Sequence, residues 1–595
     1  MSSRSLAVIW LMAALTLTAC ASDDEDIDDG SGAGADDSGG GGSDTSTGGS
    51  DGGSEVTGTT ADCDDRSVSG AMDVSGVIRE DTTWSGLIHV TDNVTVREGA
   101  TLTIEPGTKI IVAVDREIDV GWNSNVATFF ADGTADKPIA FCGESEGAGF
   151  WTGLRVGSNV TSDSYMRQVL VEDGGGASAA LILESPIHIE NVEIHLSGSD
   201  GLWASHFAQD SANLTVSDAA GMPVALTNPS ALTTFPLGGS LSGNDVDMVG
   251  LRFSRMDVET IIHALPIPYL QEDEVLVRAG AALTFEAGVE YRFARDTYLD
   301  VGWNSNDAEF QVEGTEAEPV VFRGENDDIG SWYGIYVGRN VTSNSTITHA
   351  EIHHAGVDGG YALVVHAAVA LQDVVLQDNA HGAWISNSGL SADSANLTIT
   401  STGDIPLTVE PNALVSLPEG GTFTGNTDDV IAVEGYVMTQ TGTVADLGVP
   451  YLLPDGLQMR DGAEVTIAPG TDFIMGLETL FEAGWNSHDS ALYAVGTAES
   501  PITFTGENGQ KGDWEGIRIG RNVSSDSELS YVEVGHTGSG NALLGGLVLN
   551  RPIAVNNCRF FAGAESGIVR DANDTNDYLT TNVFEDLDGE DVLVD

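Results

Sequence analysis

The chain repeats itself at a long and nearly fixed period, and this limits its fold more than any other property. Gly121-Trp122-Asn123-Ser124 returns as Gly302-Trp303-Asn304-Ser305 and as Gly484-Trp485-Asn486-Ser487, at offsets of 181 and 182 residues. In step behind it come Gly133-Thr134 with Pro138, Gly314-Thr315 with Pro319, and Gly496-Thr497 with Pro501. Trp151-Thr152-Gly153-Leu154, Trp332-Tyr333-Gly334-Ile335 and Trp514-Glu515-Gly516-Ile517 follow in the same register. Asn159-Val160-Thr161, Asn340-Val341-Thr342 and Asn522-Val523-Ser524 then complete the pattern. Three tandem copies of about 182 residues are therefore expected. They cover residues 67–247, 248–428 and 429–595, the last shortened. Gly239-Ser240-Leu241-Ser242-Gly243-Asn244 and Gly421-Thr422-Phe423-Thr424-Gly425-Asn426 mark the joins.

Inside a copy the grammar is short apolar alternation broken by turns. Val94-Thr95-Val96 and Gly99-Ala100 lead into Leu102-Thr103-Ile104, then Glu105-Pro106-Gly107-Thr108. Such runs read as strands of two to five residues with side chains alternating in and out. Amphipathic helical periodicity is nearly absent, so helices cannot supply the crossovers that parallel strands usually need. A β-solenoid removes this difficulty because the turns of each coil are the crossovers. A propeller repeats every 40 to 50 residues, and no such clean period is present.

Ala100-Thr101-Leu102-Thr103-Ile104-Glu105-Pro106-Gly107-Thr108, the stretch from Gly496 to Gly506 and the Trp-x-Gly-Ile step resemble the exported right-handed parallel β-helix proteins of the pectate-lyase-like superfamily. The resemblance covers nearly everything after Arg66. It implies an all-β, right-handed parallel β-helix with coils of about 22 residues, about eight per copy, in a rod on the order of 110 Å. It fixes no activity, because this architecture hosts lyases, hydrolases, adhesins and inert shafts.

The N-terminus has the order of an export signal. Arg4 precedes an apolar run from Leu6 to Leu17 that is too short to anchor in a bilayer. The run ends in Leu17-Thr18-Ala19-Cys20, which resembles the lipobox of bacterial lipoproteins; residues 1–19 would then be removed and Cys20 would carry lipid. Several acyl chains hold a protein on a membrane where one holds it marginally. Ala21 after the cysteine resembles the pattern sent to the outer membrane. Residues 20–66 are rich in Asp, Gly and Ser, cannot bury enough surface to offset ordering, and read as a disordered acidic tether. Asp24 to Gly30 has the outline of a calcium loop, but the glycine comes one place late and no glutamate closes it. No organic cofactor is expected; calcium, held weakly by such carboxylates, is the ion the composition admits.

Charge narrows the partners. With 91 acidic against 23 basic residues the formal charge is -68, which argues against nucleic acid, polyanionic substrates and anionic lipid surfaces. The membrane reached through the lipid anchor, an extracellular polysaccharide or another surface protein remain as partners, at the outer membrane or cell surface.

Chemistry-bearing residues are sparse. The lyases of this fold family use a Lys or Arg base beside acidic calcium ligands, and its hydrolases use clustered Asp with a nearby His and Arg. Neither appears as a compact motif, so no catalytic residue is assigned. Arg339 and Arg521 share a column that holds Ser158 in the first copy. His353-His354 aligns with Gly535-His536 and Glu172-Asp173, as expected of a turn-flanking pair. Gly143-Glu144-Ser145-Glu146-Gly147 fits the nucleophile-elbow string but aligns with loops that lack the serine. Asn-x-Ser/Thr strings at Asn93, Asn159, Asn213, Asn340, Asn396 and Asn522 read as turn asparagines entering Thr-rich strands. Cys63 and Cys142 would form a disulfide stapling the tether to the first coils, and Cys558 reads as a small buried residue.

Trp122, Trp303, Trp485, Trp151, Trp332 and Trp514 are candidate carbohydrate-stacking platforms along one face, weighed against core or turn packing. The expectation is a non-catalytic scaffold or binding and adhesion shaft, possible ligands including carbohydrate. The alternative is a surface polysaccharide lyase or glycoside hydrolase, which a groove of converging acids with one Arg or Lys would favour.

Overall fold

A computed structural model of the protein describes residues 62–303, 306–540 and 545–595. The apolar leader, Cys20 and the linker up to residue 61 lie outside the described residues. The described residues form one compact unit. Among the described residues its strands pair in parallel, apart from an antiparallel bridge between Thr134 and Lys137. Among the described residues helix is confined to Ser230–Thr233 and the 3-10 turns Val357–Gly359 and Pro411–Ser416. The result is all-β and solenoid-like, consistent with a parallel β-helix: stacked parallel sheets whose crossovers are turns.

The local sequence explains the stacking. In Ala281–Glu286 the residues Ala281, Leu283 and Phe285 point inward, over Ala308, Phe310 and Val312 of Ala308–Glu313. Each large apolar side chain removed from water contributes about 1.5–3 kcal/mol. In the second copy the interior is aromatic: Trp332 lies flat on Phe293, ring centres 4.1 Å apart. Two polar side chains drawn into this interior satisfy each other and the backbone. Tyr291 donates to Gln271 Oε1 at 2.6 Å, and Gln271 Nε2 donates to the Phe253 carbonyl at 2.9 Å.

Corners are made by residues in the left-handed region. Tyr165–Glu172 bends at Gln168 (φ 50°), so that Tyr165 lies over Phe130 and Val169 over Ile139. Asn191 and Asn213 occupy the same corner one and two coils on, and Asn213 Nδ2 donates to Asn191 Oδ1 at 3.0 Å. Asp373 and Asn396 repeat the arrangement at 2.8 Å. Asn and Asp tolerate this conformation better than bulky residues, which ties the turn asparagines to the shape of the coil.

Coil length is uneven. Leu202 lies 21 residues beyond its partner Leu181, whereas Leu154 lies 36 beyond Ile118, because the Gly-Trp-Asn-Ser and Trp-x-Gly loops are inserted between strands. Along one column of the second copy, Tyr269, Tyr291, Phe322, Ile352, Leu376 and Ile399 follow Val249 in six successive pairings. Thr422 then accepts from the Ile399 amide. The next strand in the sequence pattern, Ile431–Val433, lies on Leu407–Val409 of the adjoining column. A repeat is thus seven coils and one further face, fewer coils than the eight expected. The first join behaves alike: Val249–Leu251 lies on Val224–Leu226, the column holding Glu117–Val120, although Glu290–Phe293, further along the same column, has Lys109–Val112 as its counterpart in the pattern. Each copy is therefore advanced by one face on the copy before it.

The described chain begins on the outside of the first coils. Cys63 is disulfide-bonded to Cys142, with Cα atoms 5.7 Å apart. Cys63 and Val68 cover the outward-facing Ile111, Ala140 and Leu170. Arg66 donates to Asp173, to Glu172 Oε1 at 2.7 Å and to the Gly143 carbonyl at 3.0 Å. The second copy has Arg292, Arg323 and Glu351 at the positions of Ile111, Cys142 and Leu170. Replacing both cysteines (Cys63→Ser with Cys142→Ser) is expected to cost about 2–4 kcal/mol in the first coils. Hydrogen exchange should quicken at residues 62–68 and Lys109–Val112 and stay unchanged in the third copy; unchanged exchange at both sites contradicts the staple.

Candidate functional site

The recurring Gly-Trp-Asn-Ser turn follows a strand whose third residue is an outward carboxylate: Asp119, Asp300 or Glu482. All three are largely buried. The next coil places Arg155, Tyr336 or Arg518 directly over that carboxylate. Arg155 lies 3.4 Å from Asp119 and 2.8 Å from Glu184, and stacks 4.2 Å from the Trp122 ring. Arg518 lies 2.6 Å from Glu482 and 4.4 Å from the Trp485 ring. Each clamp thus combines ion pairing with a cation over an indole face, worth about 0.5–2 kcal/mol for the latter.

The second copy departs from this. Tyr336 replaces the arginine, Asp300 takes its cation from Arg278 of the preceding coil at 2.9 Å, and His366 packs on Trp303 at 4.6 Å. Trp384 packs on the far side of His366 at 4.8 Å and donates to Glu434 Oε2 at 3.1 Å. Tyr298, Tyr333, Tyr336 and Tyr361 are half-buried on the same stretch. The first copy has Glu117, Thr152, Arg155 and Ala179 at these positions, and there they line a shallow groove.

The six tryptophans separate into two sets. Trp151, Trp332 and Trp514 are fully buried and donate their indole N–H to the carbonyls of Glu172, His353 and Gly535 at 2.7–2.8 Å. They are core, and no ligand can stack on them. Trp122, Trp303 and Trp485 are half-buried, each with one ring face taken by a neighbouring side chain. They follow strands of three different sheets, so the single shared face expected from the repeat is replaced by three.

Trp203, which the repeat did not single out, anchors a further cluster. Its indole N–H donates to Asp200 Oδ2 at 2.6 Å, Arg252 reaches the same oxygen at 2.6 Å, and Glu272 holds Arg252 at 2.9 Å. Asp200 and Arg252 are 52 residues apart, so only the stacking reveals them.

His354 is a buried corner residue with φ 62°, matched by Asp173 and His536 in the other copies; burial, then Arg323, lowers its pKa. His353 lies beside it, 3.2 Å from Glu351. Asn159 and Asn340 donate to the carbonyls of Gly121 and Gly302 at 3.4 and 3.2 Å, as turn residues. Burial pushes the Cys558 thiol up to about 12. Among the described residues no group of three His, Cys, Asp or Glu is placed to hold a metal ion, and no helix is long and apolar enough to cross a membrane. Comparison with known family models, curated proteins and solved structures finds no match.

Burial pushes the Asp119 carboxyl up to about 6, with Glu117 adding to the effect and Arg155 opposing it. A carboxyl raised in the folded state binds a proton more readily there than in the unfolded chain. Its contribution to stability is therefore full below the ordinary carboxylate range and is lost as pH rises through about 6. Asp119→Asn, which leaves Arg155 its Glu184 partner, should weaken the fall in thermal midpoint between pH 4 and 7. An identical pH profile in the variant would show that Asp119 titrates normally.

Proposed function

We propose that the protein is an exported, lipid-anchored surface shaft, held through Cys20, whose body is a right-handed parallel β-helix of three copies with the pectate-lyase-like architecture. Its role is non-catalytic: it spaces and binds. The observation that supports this most is the clamped tryptophan step, which recurs on three different faces. A processive enzyme needs one continuous groove, whereas equivalent sites pointing outward in different directions suit a multivalent scaffold, where weak sites add through avidity. The net charge of -68 keeps such a shaft clear of polyanions and leaves neutral polysaccharide or a cationic partner as its ligand.

A glycan-array screen of the chain from Gly58 onward, which retains Cys63 and Arg66, tests this reading. Binding without product release, weakened by alanine at Trp122, Trp303 or Trp485 with the fold intact, is the expected result. Release of reducing ends or unsaturated sugars contradicts it.

One cluster favours the enzymatic alternative in the first copy. Asp119 and Glu184 pair with Arg155 beside the shallow groove, Glu117 hydrogen-bonds Asp119, and Asp119 has the raised pKa a general acid would need. If the first copy is a hydrolase, Asp119→Asn abolishes product release; release that survives the substitution excludes this cluster.

A further inference from the structure

The tryptophan step of the second copy is covered by a different kind of side chain from those of its sisters. Over Trp122 and Trp485 lie Arg155 and Arg518, permanent cations tied to Asp119 with Glu184 and to Glu482. Over Trp303 lies His366 at 4.6 Å, and Trp384 packs on the same imidazole at 4.8 Å. The His366 amide donates to Val337 as that of Glu184 donates to Val156 and that of Asn550 to Ile519. The histidine thus stands where the first copy has the glutamate that holds Arg155. It is buried, and its Nδ1 has no hydrogen-bond partner among the described residues. Two charged groups face it: Arg339 from the turn after Gly334–Val337, and Glu410 from the turn after Leu407–Val409, which already accepts from the Asn387 amide at 2.7 Å. Asp300, on the strand leading to Trp303, is taken by Arg278, and Glu434 by the Trp384 indole. Burial, then Arg339, holds the imidazole below the usual histidine range, with Glu410 opposing.

We infer that His366 is an acid-released cover: neutral, it packs on Trp303 and Trp384, and protonated, it turns out to water and bares those ring faces to ligand. A neutral imidazole is a compact ring that fills space against indole at little cost. Protonation makes both ring nitrogens donors, whichever tautomer the neutral ring has, and adds a full charge. A buried imidazolium beside Arg339, with no acceptor at Nδ1, is less stable than one in water. The attraction of a cation for an indole face works the other way, and the test reads which prevails. A group whose folded-state pKa is lowered contributes its stability in full above its ordinary value, about 6.5, and loses it as pH falls. The covers of the sister copies cannot respond in this way, because a guanidinium keeps its charge throughout that range. The inference rests on reading the tryptophan steps as binding sites, and it makes the second of the three conditional on pH.

Acrylamide quenching of tryptophan fluorescence in the chain from Gly58 onward, followed from pH 8 to pH 5, tests this with two variants. His366→Asn introduces the residue of the third copy and leaves the indoles uncovered, and His366→Phe covers them with a ring that does not titrate. The other tryptophans contribute alike to all three proteins, so the differences among them isolate this step. The unsubstituted chain should match His366→Phe at pH 8 and His366→Asn at pH 5, crossing between them at a midpoint below about 6.5. Either variant alone gives the comparison if the other does not fold. A profile parallel to a variant's at every pH overturns the inference, as does a midpoint above about 6.5, the result if the two indoles hold an imidazolium. Glycan binding without the transition removes the cover alone, whereas the transition without glycan binding leaves the cover and removes the binding reading.

Discussion

Everything in this molecule depends on parallel strands stacking directly over one another, so that each coil's inward apolar residues lie on those of the coil before. A strand here has no partner within its own coil. Its backbone groups and its side chains are satisfied only by the neighbours above and below. The inward rows are accordingly apolar from Ile88 to Phe560, and where a polar side chain enters, as at Gln271, the stack provides its partners. Where a column would end, side chains close it. At the two joins Asp247 and Asp429 accept from the backbone of Gly243-Asn244 and Gly425-Asn426, so that the last strand of the column leaves fewer bare amides.

Stacking also determines what the repeat can do. Had a copy contained a whole number of coils, equivalent residues would lie in one file along the body. The extra face in each copy turns the files, and the three clamped tryptophans come to lie on different sheets. Duplication therefore multiplied the directions of presentation rather than lengthening one groove. It also freed individual copies to diverge, because a substitution at one outward position has no counterpart beside it. The tyrosines of the second copy and the converging acids of the first are such divergences from a shared frame.

Much of this was legible in the sequence, for identifiable reasons. The strand grammar was visible because inward and outward positions alternate, as in Leu102-Thr103-Ile104, and the turn asparagines were visible because few residues accept the left-handed corner. Cys63 and Cys142 stood out because the sister copies have Arg323 and Thr505 at the equivalent of Cys142. Three things were not legible. The face advance depends on summing coil lengths that vary from 16 residues between Met72 and Ile88 to 36 between Ile118 and Leu154. The burial of Trp151, Trp332 and Trp514 depends on which way a loop folds over the coil. Tyr298, Tyr333 and Tyr336 carry no recurrence signal, because they stand where the second copy differs from the other two.

The face advance is the central structural claim, and a site-directed cross-link tests it most directly. In the structure Ala432 lies on Thr408, across the join between the second and third copies, and both side chains point away from the apolar interior. Copies stacked in phase would instead bring Ala432 onto the file of Thr400. Oxidation should therefore form a disulfide between the cysteines of Thr408→Cys with Ala432→Cys and leave Thr400→Cys with Ala432→Cys unlinked. Cross-linking of the second pair and not the first would contradict the account.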